Sequence, residues 1–190
     1  MKRFSLILAP ALLTASPALA HLNPGEHGSF AAGFTHPVFG ADHVLAMVSV
    51  GLWAALLGGR AIWMLPASFV AAMCAGFVMA LAGLALPFVE PAILASVMVL
   101  GVAVALAARV PAGLGAAVVA VFALFHGFAH GTEIGGATAL SYLGGFAIAT
   151  ALLHAAGLGL GLALTRWLSP ALTRALGAAV TVLGASLALG

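Results

Sequence analysis

Two short stretches concentrate the residues of this chain that can do chemistry. The first is His36-Pro37-Val38-Phe39-Gly40-Ala41-Asp42-His43, and the second is Phe125-His126-Gly127-Phe128-Ala129-His130-Gly131-Thr132-Glu133. On a helix turning about 100° per residue, His126, His130 and Glu133 fall within about 60° of one another, so one stripe carries three ligand-type groups. His36 and His43 are seven residues apart and share a face of a continuous helix, and Met47 falls on that face too. Asp42 lies well round from His43. It becomes useful either if Pro37 and Gly40 break and re-aim the helix or if its carboxylate orients a neighbouring imidazole. Imidazoles and carboxylates without thiolates suit a borderline divalent transition metal: nickel, cobalt, zinc or copper(II). Magnesium or calcium would call for more oxygens. The candidate metal ligands are therefore His36, Asp42, His43, His126, His130 and Glu133, forming two walls of one site.

The remaining polar residues are secondary candidates. His154 falls near the middle of an apolar stretch, where an ionisable group is expensive and functional by default. It is a second metal stop, a proton-relay group, or a neutral imidazole bonded to a neighbouring helix. His21, with Glu26 and His27 nearby, is either a chelating amino-terminal group or part of a solvated tail. Glu90 sits between Pro87 and Pro91 and reads as a solvated turn residue. Cys74 is the single cysteine, which excludes an intramolecular disulfide and any cysteine-rich zinc or iron–sulfur site.

The elements that must hold these groups follow from composition. The chain has 190 residues, 64% of them hydrophobic and only 5% charged, with a mean hydropathy of +1.25. A soluble domain carries roughly 25% charged residues, so a soluble enzyme, a disordered chain and a nucleic-acid binder are excluded. The expected class is an all-α integral membrane protein whose partners are the lipid bilayer and a divalent metal ion. No protein partner can be deduced.

Residues 1–20 have the layout of a cleavable secretory signal: basic Lys2 and Arg3, a short apolar run, then Ala18-Leu19-Ala20. The alternative, an uncleaved anchor, is disfavoured by the shortness of the run and by Pro10. A spanning helix needs about 20 apolar residues, and six such stretches follow, as one domain over residues 21–190. They run from about Phe34 to Leu57, Ile62 to Leu86, Ala92 to Ala108, Leu114 to His130, Leu140 to Leu164 and Ala171 to Leu189. With both termini periplasmic, Arg60, Arg109, Arg166 and Arg174 all face the cytoplasm, as the positive-inside rule requires. Glu90, Glu133 and both histidine clusters lie toward the periplasm. Gly157 and Gly161, like Ala72 and Gly76, have the spacing that lets membrane helices approach closely.

The stretches HPVFGADHVLAMVSVG and FHGFAHGTE resemble the motifs of the HupE/UreJ family of bacterial hydrogenase and urease accessory proteins. H-x5-D-H and F-H-G-x-A-H-G-x-E are both matched in full, and the resemblance covers the whole chain. It implies nickel uptake across the inner membrane, with His36, Asp42 and His43 carried over from the first motif and His126, His130 and Glu133 from the second. His154, His21 and His27 lie outside those motifs. The expected function is a nickel permease with no permanently bound cofactor, Ni2+ being the transported ion and Co2+ or Zn2+ alternatives. It is not expected to be an enzyme, and without a P-loop it does not itself hydrolyse ATP. Three other readings use the same residues. A membrane-embedded zinc hydrolase is disfavoured by the lack of H-E-x-x-H, and a haem carrier by the carboxylates beside both clusters. A metal-binding accessory or sensor protein without transport cannot be separated from a permease by sequence.

Overall fold

The structure, a computed structural model, describes residues 29–189. The expected signal segment and His21, Glu26 and His27 lie outside the described residues. Every regular element is helical: α1 (Ser29–Phe39), α2 (Ala41–Leu57), α3 (Ala61–Leu81), α4 (Val89–Ala105), α5 (Ala112–Thr132), α6 (Ala139–Ala163) and α7 (Pro170–Leu189), with a π-helical turn, Leu164–Leu168, after α6. Such a chain satisfies its backbone within each segment, as lipid demands. Its exterior is apolar: Trp63, Val78, Val121, Leu152 and Val182 are all exposed. It is a multi-pass membrane protein. Four helices (α3, α5, α7, and α6 with its π turn) are each long and apolar enough to cross a bilayer, and α1 with α2 forms a bent fifth candidate.

The first expected helix is broken. Its two halves, α1 and α2, meet at Gly40 with a bend of 79°. Pro37 lies inside α1 and Gly40 caps α2 in an extended conformation. The shared face of His36 and His43 expected from a continuous helix therefore does not exist.

Two other boundaries move for a common reason. The second stretch was expected to reach Leu86, yet α3 ends at Leu81. Gly83 adopts φ +74°, and the Leu84 and Gly83 amides donate back to the Met79 and Ala80 carbonyls. This reverse turn closes the helix before Pro87 is reached. The same pattern ends α4, where Ala107 has φ +49° and Ala108 and Ala107 donate to Ala103 and Val104. At 17 residues α4 is shorter than α3, α5, α6 and α7. Trp53 of α2 donates its indole N–H to the freed Ala108 carbonyl at 2.9 Å. Glu90, read as a turn residue, stands instead in the first turn of α4.

The most extensive pairings are α3 with α5, α2 with α6, α4 with α7 and α1 with α6. Glycines set these distances. A Cβ on Gly76 would strike the Leu124 backbone of α5, and one on Gly157 would strike Val48 of α2. The core joins Met47, Trp53, Phe69, Met73, Phe77, Leu100, Val119 and Phe146, and His126 and His130 pack against its Phe69 and Phe146.

Candidate metal centre

His126 and His130 lie one turn apart on α5 and are both completely buried. Gly127 stands beside the first of them. A Cβ there would run into the Met73 carbonyl of α3, so the F-H-G triplet needs its glycine to let the two helices meet. The helix ends at Thr132, which puts Glu133 at its C-cap. Its side chain is 43% exposed at the mouth of the site.

The bend at Gly40 brings the first motif onto the second. His36 reaches in from α1 and His43 from the start of α2. Both rings pack edge-on against His130, at centroid distances of 4.5 Å and 4.6 Å. His43 also meets His126 edge-on at 4.8 Å. The four imidazoles thus form an unbroken row, His36–His130–His43–His126. Glu133 stands at its outer end, 3.5 Å from His36 Nε2. Ligand atoms of His36, His130 and Glu133 all come within 4.8 Å of one another.

The hydrogen bonds assign the tautomers. Asp42 Oδ1 is 2.9 Å from His43 Nδ1, so the ring donates there and its Nε2 is left bare. Ser96 of α4 gives its only hydrogen to the Ile93 carbonyl at 2.6 Å. Its oxygen therefore accepts from His126 Nε2–H at 2.9 Å, leaving His126 Nδ1 bare. The Tyr142 hydroxyl of α6 touches His36 Nδ1 at 2.9 Å and His130 Nδ1 at 3.4 Å. With one hydrogen it donates to one ring and accepts from the other. Donation to His36 leaves His36 Nε2–H facing Glu133, and acceptance from His130 leaves that ring's Nε2 bare.

The three bare nitrogens (His43 Nε2, His126 Nδ1 and His130 Nε2) are buried and have no hydrogen-bond partner. A buried polar atom without a partner costs about 1–3 kcal/mol. Each of the three sits on an imidazole anchored through its other nitrogen, as metal-binding histidines are, and the group whose ligand atoms gather within 4.8 Å is His36, His130 and Glu133. The donor set is nitrogen with flanking carboxylate, which fits a borderline divalent transition metal.

Of the residues expected from sequence, His36, His43, His126 and His130 converge ring to ring, while Asp42 and Glu133 touch them as hydrogen-bond and ion-pair partners. Met47 lies fully buried in the apolar core. His154 stands apart, behind Phe69. His21 and His27 lie outside the described residues. Sequence reasoning missed Tyr142 and Ser96, which fix three of the four rings, and Phe146, which packs on His130 at 3.9 Å. One signal was available: Tyr142 is the chain's single tyrosine, and it lies in an otherwise apolar helix.

Comparison with known proteins matches the chain to the HupE / UreJ protein family over residues 9–187. Protein HupE of Rhizobium leguminosarum bv. viciae is 41% identical over 190 residues, covering 99% of this chain and 100% of that protein. No solved structure gives a significant match.

Proposed function

The chain belongs to the HupE/UreJ family, and from that premise we propose that it is an inner-membrane permease for a divalent transition-metal ion, nickel foremost, supplying hydrogenase or urease maturation. The observation that carries this reading is the row of four imidazoles with three bare, buried nitrogens. In this reading α1 and α2 act as one broken span and α4 as a short one, giving six crossings with the histidine row toward the periplasm. Arg60, Arg109, Arg166 and Arg174 then share the cytoplasmic side, in keeping with the positive-inside rule.

The ion meets Glu133 and His36 first, at the exposed end of the row. His130 belongs both to that outer group and to the inner trio with His43 and His126. A ligand common to both groups lets the ion change partners stepwise without full release. Neutral imidazoles bind firmly enough to strip water from the ion, yet without the accumulated negative charge that would trap it. An inside-negative potential favours entry of a dication by about 4.6 kcal/mol per 100 mV.

The test is radio-nickel uptake into proteoliposomes of the purified protein, with an imposed inside-negative potential and with cobalt as competitor. Uptake is expected in the wild type and is lost in His43→Ala and His126→Ala. Tight nickel binding without flux under any gradient would replace the permease with a metal-binding accessory protein. Undiminished uptake in both variants would overturn the site.

A further inference from the structure

The four imidazoles of the row are not held alike. His43, His126 and His36 are anchored by Asp42, Ser96 and Tyr142 through contacts of 2.9 Å each. His130 has the Tyr142 hydroxyl at 3.4 Å, longer than the usual N–H···O range. Yet His130 has the most to do. It belongs to the outer group with His36 and Glu133, and its bare Nε2 is one of the inner trio. A histidine ring turns in a broad torsional well that does not fix its plane. A weak tether at Nδ1 leaves that plane to be set by something other than a hydrogen bond.

Packing supplies it. Phe146 of α6 is fully buried, and its ring centroid lies 3.9 Å from that of His130 with the planes tilted by 48°. The contact is closer than those between the imidazoles, at 4.5, 4.6 and 4.8 Å. Phe146 stands one helical turn beyond Tyr142 on α6. One stripe of that helix therefore meets His130 twice, with a hydroxyl at Nδ1 and with an aromatic ring against the imidazole. The stripe is itself seated by α1. Gly145, beside Phe146, lets α6 press on the Phe30 and Phe34 backbone, and Gly33 lets α1 press on the Tyr142 carbonyl. The helix contact that seats Phe146 is thus the one that brings in His36.

We propose that Phe146 is a positioning residue for the metal: its ring restricts rotation of His130 and keeps the bare Nε2 in the row. Phe146 contributes no ligand atom and acts through His130, whose geometry is held by packing where its hydrogen bond is weak. The part this plays in handing the ion from the outer group to the inner trio rests on the permease reading. The effect on metal binding does not.

The test compares Phe146→Leu, which stays apolar but has no flat face, with Phe146→Tyr, which keeps the face. Purified full-length proteins are dialysed against radio-nickel and titrated with Co2+ by absorption spectroscopy, with thermal denaturation in detergent alongside. Phe146→Leu is expected to weaken nickel binding about tenfold or more and to alter the d–d bands of bound cobalt, because one imidazole shifts. Phe146→Tyr is expected to match the wild type in both. A residue that served packing alone would lower the denaturation midpoint and leave the cobalt bands of the folded protein as they are. That result overturns the proposal, as does a nickel affinity within about threefold of the wild type in Phe146→Leu, or altered cobalt bands in Phe146→Tyr. If Phe146→Leu does not fold, Phe146→Met, also without a flat face but more adaptable in a core, is held to the same outcomes. Nickel flux in proteoliposomes separates the two readings: a wild type that binds nickel without carrying it, and loses affinity on Phe146→Leu, sinks the permease and leaves Phe146 in its role.

Discussion

Tyr142→Phe removes one oxygen and keeps the ring. The ring packs near Phe77 and Phe146, at 6.0 Å and 6.5 Å, and the adjoining backbone is pinned by Gly33, whose Cβ would collide with the Tyr142 carbonyl. The fold is therefore expected to survive. The hydroxyl, however, serves two imidazoles at once. Its loss releases His36 Nδ1, held at 2.9 Å, and His130 Nδ1, held at the longer 3.4 Å. Removing a group that orients a metal-binding histidine costs roughly 10- to 100-fold in affinity, or about 1.4–2.7 kcal/mol. The shorter bond fixes His36, so about tenfold is expected from that ring alone. The upper part of the range is reached if His130 also turns and its bare Nε2 leaves the row. Equilibrium dialysis of radio-nickel against the purified variant measures this directly, with thermal denaturation in detergent as the check on folding. An affinity within threefold of the wild type, at an unchanged denaturation midpoint, would refute the claim that Tyr142 sets the tautomers of the row.

The other expectations follow from single contacts. Asp42→Asn leaves an amide beside His43 Nδ1 that is able to donate as well as accept; nickel uptake at limiting concentration is expected to fall about tenfold, and an unchanged rate would remove Asp42 from its orienting role. Ser96→Ala strands His126 Nε2–H in an apolar interior. The denaturation midpoint of the metal-free protein should drop by the equivalent of about 1–3 kcal/mol, and no drop would contradict the anchoring of His126 by Ser96. Gly127→Ala drives a methyl group into the Met73 backbone and should cut the folded yield. Gly136→Ala, with nothing within 4 Å of its Cβ position, should not; equal yields would mean that α3 and α5 do not require their close approach.

What could be read from the chain, and what could not, divides along the distance over which each signal acts. His126 and His130 were placed correctly because a helix turns predictably over four residues. His36 and His43 were assigned to one face by the same rule, and there it misled. Gly40 breaks the helix, and the two rings meet on His130 because of a 79° bend rather than a shared period. The tendency to break was visible in Pro37 and Gly40, but its angle depends on α1 settling against α6, where Gly33 and Gly145 allow backbone contact. Helix ends behaved similarly: Pro87 marked the turn after α3, while the left-handed Gly83 that stops the helix was one glycine among 24. Tyr142 and Ser96 lay beyond any local rule, Tyr142 at 106 and 12 residues from His36 and His130 and Ser96 at 30 from His126, each on a different helix from the histidines it holds. They were still open to a physical question. An imidazole buried in an apolar bundle needs something to anchor its second nitrogen, and only a few hydroxyls and carboxylates are available. A search for the anchor of each buried histidine narrows the chain to those few groups. The same search returns nothing for either nitrogen of His154, and that distinguishes it from the anchored imidazoles of the row.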